Sequence, residues 1–229
     1  MINSGELFDT FREEVVDLIK PYLWSNDEVT RYANDAYAMF IRLIGGIADF
    51  TTTAVCQVAV TAGNAAVTLH PKILRVTQVY RVSDGKEVLV ANNTDLETLL
   101  KDVDYFELPR LLHSTQQGQI RYLVIGAQRG VGQLVMVPAA NDSLQLAVYR
   151  LPLVDIVDET HPMDEIGEEH HLHLLDWMKH LAYKKSDADC FNAKGSADAE
   201  AAFRAYCAMA KAEWQRYKHK TRVVRYGGL

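Results

Sequence analysis

The residues best suited to chemistry crowd into one short stretch, Glu168 to Cys190, "EEHHLHLLDWMKHLAYKKSDADC". It holds His170, His171, His173, His180, Asp176, Asp187, Asp189 and a cysteine. On a helical wheel His173, Asp176 and His180 are neighbours at i,i+3 and i,i+4 spacing. Two imidazoles and a carboxylate suit zinc or a non-haem iron. The spacing argues against that use. HxxDxxxH is not the HExxH pattern, and seven residues separate the two histidines by about 10 Å along a helix. Lys184 falls on the same face and would repel a cation. The wheel sets Leu174, Leu175, Trp177, Met178, Leu181 and Ala182 on one broad apolar side. His173, Asp176, His180 and Lys184 are then expected on a narrower solvated or intersubunit side. Glu168 and Glu169 sit where a helix N-terminus favours acids. "SDADC" reads as a turn between two helices rather than as an acidic metal site.

Other candidate motifs are weaker. "GAQRGVG", Gly126 to Gly132, lacks the GKS/T ending of a phosphate loop and precedes a strand pattern, so a glycine-rich turn is expected. No G-x-S-x-G is present, and nothing suggests a nucleophile–histidine triad. Cys207 lies on an apolar stripe and is expected in the core. No catalytic, cofactor-binding or metal-ligating residue is assigned, and no cofactor is expected.

These residues must be positioned by the rest of the chain. Its 229 residues are 48% hydrophobic, enough for one large or two small domains. Leu7, Phe8, Phe11, Val15, Leu18, Ile19 and Tyr22 follow helical spacing, with Pro21 expected to mark the end. Ser25 and Glu28 form a capping box for a second helix, which Gly45-Gly46 should stop. From Thr51 to about Leu153 short alternations predict an antiparallel β domain of six or seven strands. "VCQVAV" and "AVTL" around "TAGN" read as a hairpin, as do the runs flanking Asp84-Gly85. Thr94 and Glu97 are expected to cap a short helix. Helices return at about Ile166–Lys185 and from Ser196, and "KTRVVRYGGL" reads as an extended tail. The expectation is an α+β chain. Helices from residues 1–50 and 154–220 form a bundle, an antiparallel β-rich domain at 51–153 is inserted between them, and a tail follows at 221–229.

Charge and cysteine usage narrow the function. The net charge of −6 disfavours sequence-specific DNA binding, which shows a basic footprint. Three cysteines without a CxxC pair suit a reduced compartment. No signal-peptide or membrane-spanning run is seen. Eight acids and no Lys or Arg lie between Leu151 and Met178, whereas six bases and one acid lie from Lys211 onward. A basic, aromatic tail with Lys220, Arg222, Val223, Val224, Arg225 and Tyr226 has the makings of a docking peptide for an acidic protein surface.

The phrase Arg150-Leu151-Pro152, the run His170 to Asp189 and the central Phe203 resemble the C-terminal half of tailed-bacteriophage head–tail connector (adaptor) proteins. The resemblance implies a structural, non-enzymatic virion protein at the head–tail junction, made in the host cytoplasm. Such proteins form a ring, typically of about twelve copies, beneath the portal. The ring extends the DNA channel, contacts passing double-stranded DNA without sequence specificity, and docks tail or tail-completion proteins. The segment after Lys220 would dock on the portal or on a neighbouring subunit. The residue-level alternatives are a metal-dependent enzyme built on the His/Asp cluster and a DNA-packaging accessory protein.

Overall fold

A computed structural model of the chain describes residues 3–92, 117–128, 130–187 and 189–218. The Thr94–Glu97 helix and the tail after Lys218 lie outside these residues. The chain is α+β and divides into two compact units, Met1–Gly45 with Pro152–Leu229, and Gly46–Leu151.

In the first unit, helix α1 (Ser4–Glu14) starts at Asn3, whose side chain accepts the Glu6 N–H at 2.9 Å. It buries Leu7, Phe8 and Phe11. It stops well before Pro21, because the chain turns to close a buried ion pair. Arg12 Nη1 lies 2.7 Å from Asp17 Oδ2, and both side chains are nearly inaccessible. Asp17 also accepts the N–H groups of Leu23 (2.8 Å) and Trp24 (3.3 Å). Val16 takes a left-handed φ of 58°, and Leu18 and Ile19 face solvent instead of extending the apolar stripe.

Helix α2 (Asn26–Ile44) carries the expected capping box between Ser25 and Glu28 and ends at Gly45, with φ of 107°. Only glycine adopts that angle without cost. Its buried side includes Val29, Ala33, Ala36, Tyr37, Phe40 and Ile41. A 3-10 turn, Glu168–His173, leads into α4 (Leu174–Tyr183), so the third long helix is shorter than its apolar pattern suggests. Helix α5 runs from Ala193 to Lys218 and thus begins ahead of Ser196. Asn192 Oδ1 accepts the Gly195 N–H at 2.8 Å and relieves an unpaired donor of the first turn. Phe203 is fully buried with its ring 5.1 Å from that of Trp177, and Trp177 Nε1 donates to Asp35 at 2.7 Å. A buried aromatic of this kind contributes ~2–3 kcal/mol by area alone.

The second unit is a curled, mostly antiparallel sheet. Its elements are β1 (Ile47–Asp49), a short helix α3 (Thr53–Cys56), β2 (Gln57–Val60), β3 (Ala66–Thr68), β4 (Ile73–Arg81), β5 (Glu87–Asn92), β6 (Gln117–Gly118), β7 (Tyr122–Gln128), β8 (Val131–Leu134), β9 (Val137–Pro138) and β10 (Asp142–Arg150). Eight strands share one sheet, in the order β1-β10-β4-β5-β7-β8-β3 with β2 also on β10. The Asp84-Gly85 turn joins β4 to β5 as expected, with Gly85 at φ of 66°.

Three expectations fail here. "TAGN" is not a hairpin: β2 pairs with β10 and β3 with β8, so each flank finds a distant partner. The strands outnumber the expected six or seven. The sheet is not purely antiparallel either, since β5 and β7 run parallel from Leu89↔Tyr122 to Asn92↔Ile125. Parallel pairing needs a long crossover, and the segment between those strands is long enough to supply it.

Where the chain enters and leaves this unit, Arg150 Nε donates to Asp49 Oδ2 at 2.6 Å, with both side chains buried. Asp49 Oδ1 accepts the N–H groups of Thr51 and Thr52, each at 3.0 Å. Burial by itself would raise the Asp49 carboxyl. Hydrogen bonds from Thr52, Arg150 and Thr51 outweigh it and hold the group well below the usual carboxylate range.

Candidate functional site

The histidine-rich stretch is dispersed rather than gathered. His180 is buried, not on a wet side as the wheel predicts. Its Nδ1 lies 3.0 Å from both the carbonyl and the hydroxyl of Ser196, and the Ser196 hydroxyl donates to the His180 carbonyl at 3.0 Å. A carbonyl only accepts, so the proton sits on Nδ1. The wheel misjudged His180 because α5 covers that side of α4. His173 stacks on Tyr206, ring centroids 3.4 Å apart. Asp176 pairs with Lys179 at 2.9 Å, and Lys179 reaches Glu14 at 2.8 Å. His171 is buried with Nε2 3.1 Å from the Met163 carbonyl. His170 Nδ1 lies 2.8 Å from the Tyr206 hydroxyl, and burial pushes its pKa below the ordinary value. Among the described residues no three His, Cys, Asp or Glu side chains are arranged to hold a metal ion.

The remaining candidates resolve as local structure. Asp187 shapes the turn before α5, its carbonyl accepting the N–H groups of Cys190 and Phe191 at 3.1 and 2.9 Å. Gly126 lies in β7 and Gly132 in β8, with Gln128 opposite Val131 and Gly130 at φ of 74°. Cys207 is in the core, and burial pushes its thiol up to about 11. Lys220, Arg222, Val223, Val224, Arg225 and Tyr226 lie outside the described residues.

A feature that the sequence did not disclose lies at the start of the acidic run. Residues 153–161 form an irregular strap locked onto the helices from its inner side. Asn34 brackets Ile156: its Nδ2 donates to the Ile156 carbonyl and its Oδ1 accepts the Ile156 N–H, both at 2.7 Å. The Ser4 hydroxyl donates to the Asp158 carbonyl at 2.6 Å, and the Gly5 N–H to the Glu159 carbonyl at 2.8 Å. Ser4 and His161 also exchange hydrogen bonds. A Cβ on Gly5 would stand 2.8 Å from the Glu159 carbonyl, so only glycine admits this approach. The outer side is unlike an ordinary solvated loop. Ile156 is 2% exposed, whereas Val154 and Val157 are 59% and 76% exposed beside the exposed carboxylates of Asp158 and Glu159. Asn34 was the available signal, a polar residue of poor helix propensity set beside an apolar stripe.

The buried histidines are held by hydrogen bonds, and the strap is pinned from beneath with its valines outward. Residues 2–225 match the family model of the SU10 adaptor protein, and the chain belongs to this family of phage adaptor proteins. It is a bacteriophage structural protein, as the resemblance implied. No curated protein matches the chain.

Proposed function

We propose that this protein is the head–tail adaptor of a tailed phage, a non-enzymatic ring of about twelve copies beneath the portal. The family match across residues 2–225 is the observation that carries this reading. The ring extends the channel through which double-stranded DNA passes and offers the surface on which the tail docks. A chain with net charge −6 suits such a channel, because like charges keep DNA from adhering. The helices of residues 1–50 and 154–220 form the ring body, with the β domain of 51–153 inserted. The tail, with Lys220, Arg222, Val223, Val224, Arg225 and Tyr226, docks on the portal or on a neighbouring copy.

The test is native mass by light scattering behind a sizing column, across a concentration series and again with purified portal. A closed oligomer, alone or on the portal, is expected. A chain that stays monomeric and fails to join the portal under every condition overturns the reading.

A further inference from the structure

We propose that the strap 153–161 is the seat for the C-terminal segment, residues 219–229, of a second copy of this chain. The proposal rests on the ring reading above and says where the tail goes within it. The strap is anchored from beneath at Ile156, Asp158, Glu159 and His161. A backbone held at so many points has little freedom left to lose when something covers it, which favours binding. Val154 and Val157 nonetheless face outward, with carboxylates beside them. Exposed branched apolar side chains on a rigid acidic stretch suit a partner that is both apolar and cationic.

The chain carries that partner itself. Residues 219–229 read "HKTRVVRYGGL", two valines bracketed by Arg222 and Arg225. The strap reads "LVDIVDETH" from Leu153, valines interleaved with acids. The patterns match in apolar content and oppose in sign. Helix α5 is described to Lys218, and the eleven residues after it span up to ~36 Å when extended, enough to leave their own helix. Donor and acceptor are different surfaces of one chain. A contact between copies is therefore heterologous, repeating head to tail as a ring requires, rather than pairing two copies face to face.

The experiment uses the full chain with Val157→Cys and Val224→Cys. The three native cysteines are buried and leave the introduced pair to react. Under mild oxidation the double variant is expected to give a ladder of covalent multimers beyond the dimer on a non-reducing gel. Each single variant is expected to stop at the dimer or below. Adding Arg222→Glu and Arg225→Glu should cut the ladder about tenfold at low salt, and Asp158→Lys with Glu159→Lys in the same chain should restore it. A double variant without multimers beyond the dimer overturns the proposal. So does one that only closes on itself as a faster monomer band, or a ladder indifferent to the charge reversals. The native mass of the unsubstituted chain separates the two readings. A large oligomer without a ladder sinks the strap and leaves the ring. A charge-dependent ladder from a chain that never assembles on its own or on the portal supports the strap and sinks the ring.

Discussion

Replacing Arg150 with Met strands a buried carboxylate at the neck of the β unit, and the cost can be worked out from its contacts. Asp49 is 9% exposed and loses the Nε donor that stands 2.6 Å away. Removing one member of a buried ion pair costs about 3–5 kcal/mol. Asp49 keeps the N–H groups of Thr51 and Thr52 at 3.0 Å each, which places the expected loss near the lower end, ~3 kcal/mol. For a urea slope of about 1–3 kcal/mol/M, the midpoint should fall by roughly 1–3 M. Far-UV circular dichroism follows both units, while tryptophan emission follows the helical unit alone, since Trp24, Trp177 and Trp214 all lie there, so loss of the β unit is read as the change seen by the first signal and not by the second. Changing both residues, with Asp49→Asn added, should cost less than the sum of the single changes because no buried charge remains. The pH dependence has a definite sign. The native Asp49 carboxyl is held low, so its contribution is fully present above the unfolded value near 3.9 and fades as pH falls through the lower native value. The gap between wild type and Arg150→Met should therefore narrow below about pH 4. A midpoint shift under about 0.3 M at pH 7 would refute the idea that this pair clamps the neck.

Other perturbations test the helical unit. Ser25→Ala removes the hydroxyl that accepts the Glu28 N–H, leaves the Ser25 backbone N–H on the Glu28 carboxylate, and should cost about 1 kcal/mol in tryptophan-detected unfolding. Gly5→Ala drives a methyl group against the Glu159 carbonyl, 2.8 Å from the new Cβ. It should destabilise by about 1–3 kcal/mol, with faster amide exchange confined to the strap and the start of α1. His170, held below its ordinary pKa by burial, binds its proton later than the unfolded chain does. Stability of the helical unit should thus hold above about pH 6.5 and decline as pH drops below it, and the His170 imidazole should titrate by NMR with a midpoint under that value.

Local signals carried well from sequence to structure, and long-range ones did not. Ser25 with Glu28, Gly45, and Asp84-Gly85 work through neighbours a few residues away, and each stands where its pattern puts it. The end of α1 did not, because Leu18 and Ile19 continue a helical stripe that Arg12 and Asp17 interrupt. That pair is five apart, off the spacing of helix-face partners, and visible only once the chain has folded back. "TAGN" failed for a related reason, since both flanking strands found better partners 63 to 88 residues away, such as Val60 on Asp142 and Ala66 on Gln133. The histidines were placed by a wheel that assumes one apolar side. His180 contradicts it because Ser196, sixteen residues on, satisfies the imidazole inside the core. The strap needed Asn34 and Ile156 to meet across 122 positions.

The three cysteines have a consequence for endurance. All are buried, with the Cys56 and Cys207 thiols pushed up to about 11 chiefly by that burial, and Cys190 also raised by burial. The thiolate is the form that reacts with oxidants and attacks disulfides, and at neutral pH Cys56 and Cys207 are ionised in fewer than about one copy in a thousand. Sulfur kept protonated and covered resists oxidation for as long as the fold holds, so folded copies of this phage component do not cross-link to one another through these three residues.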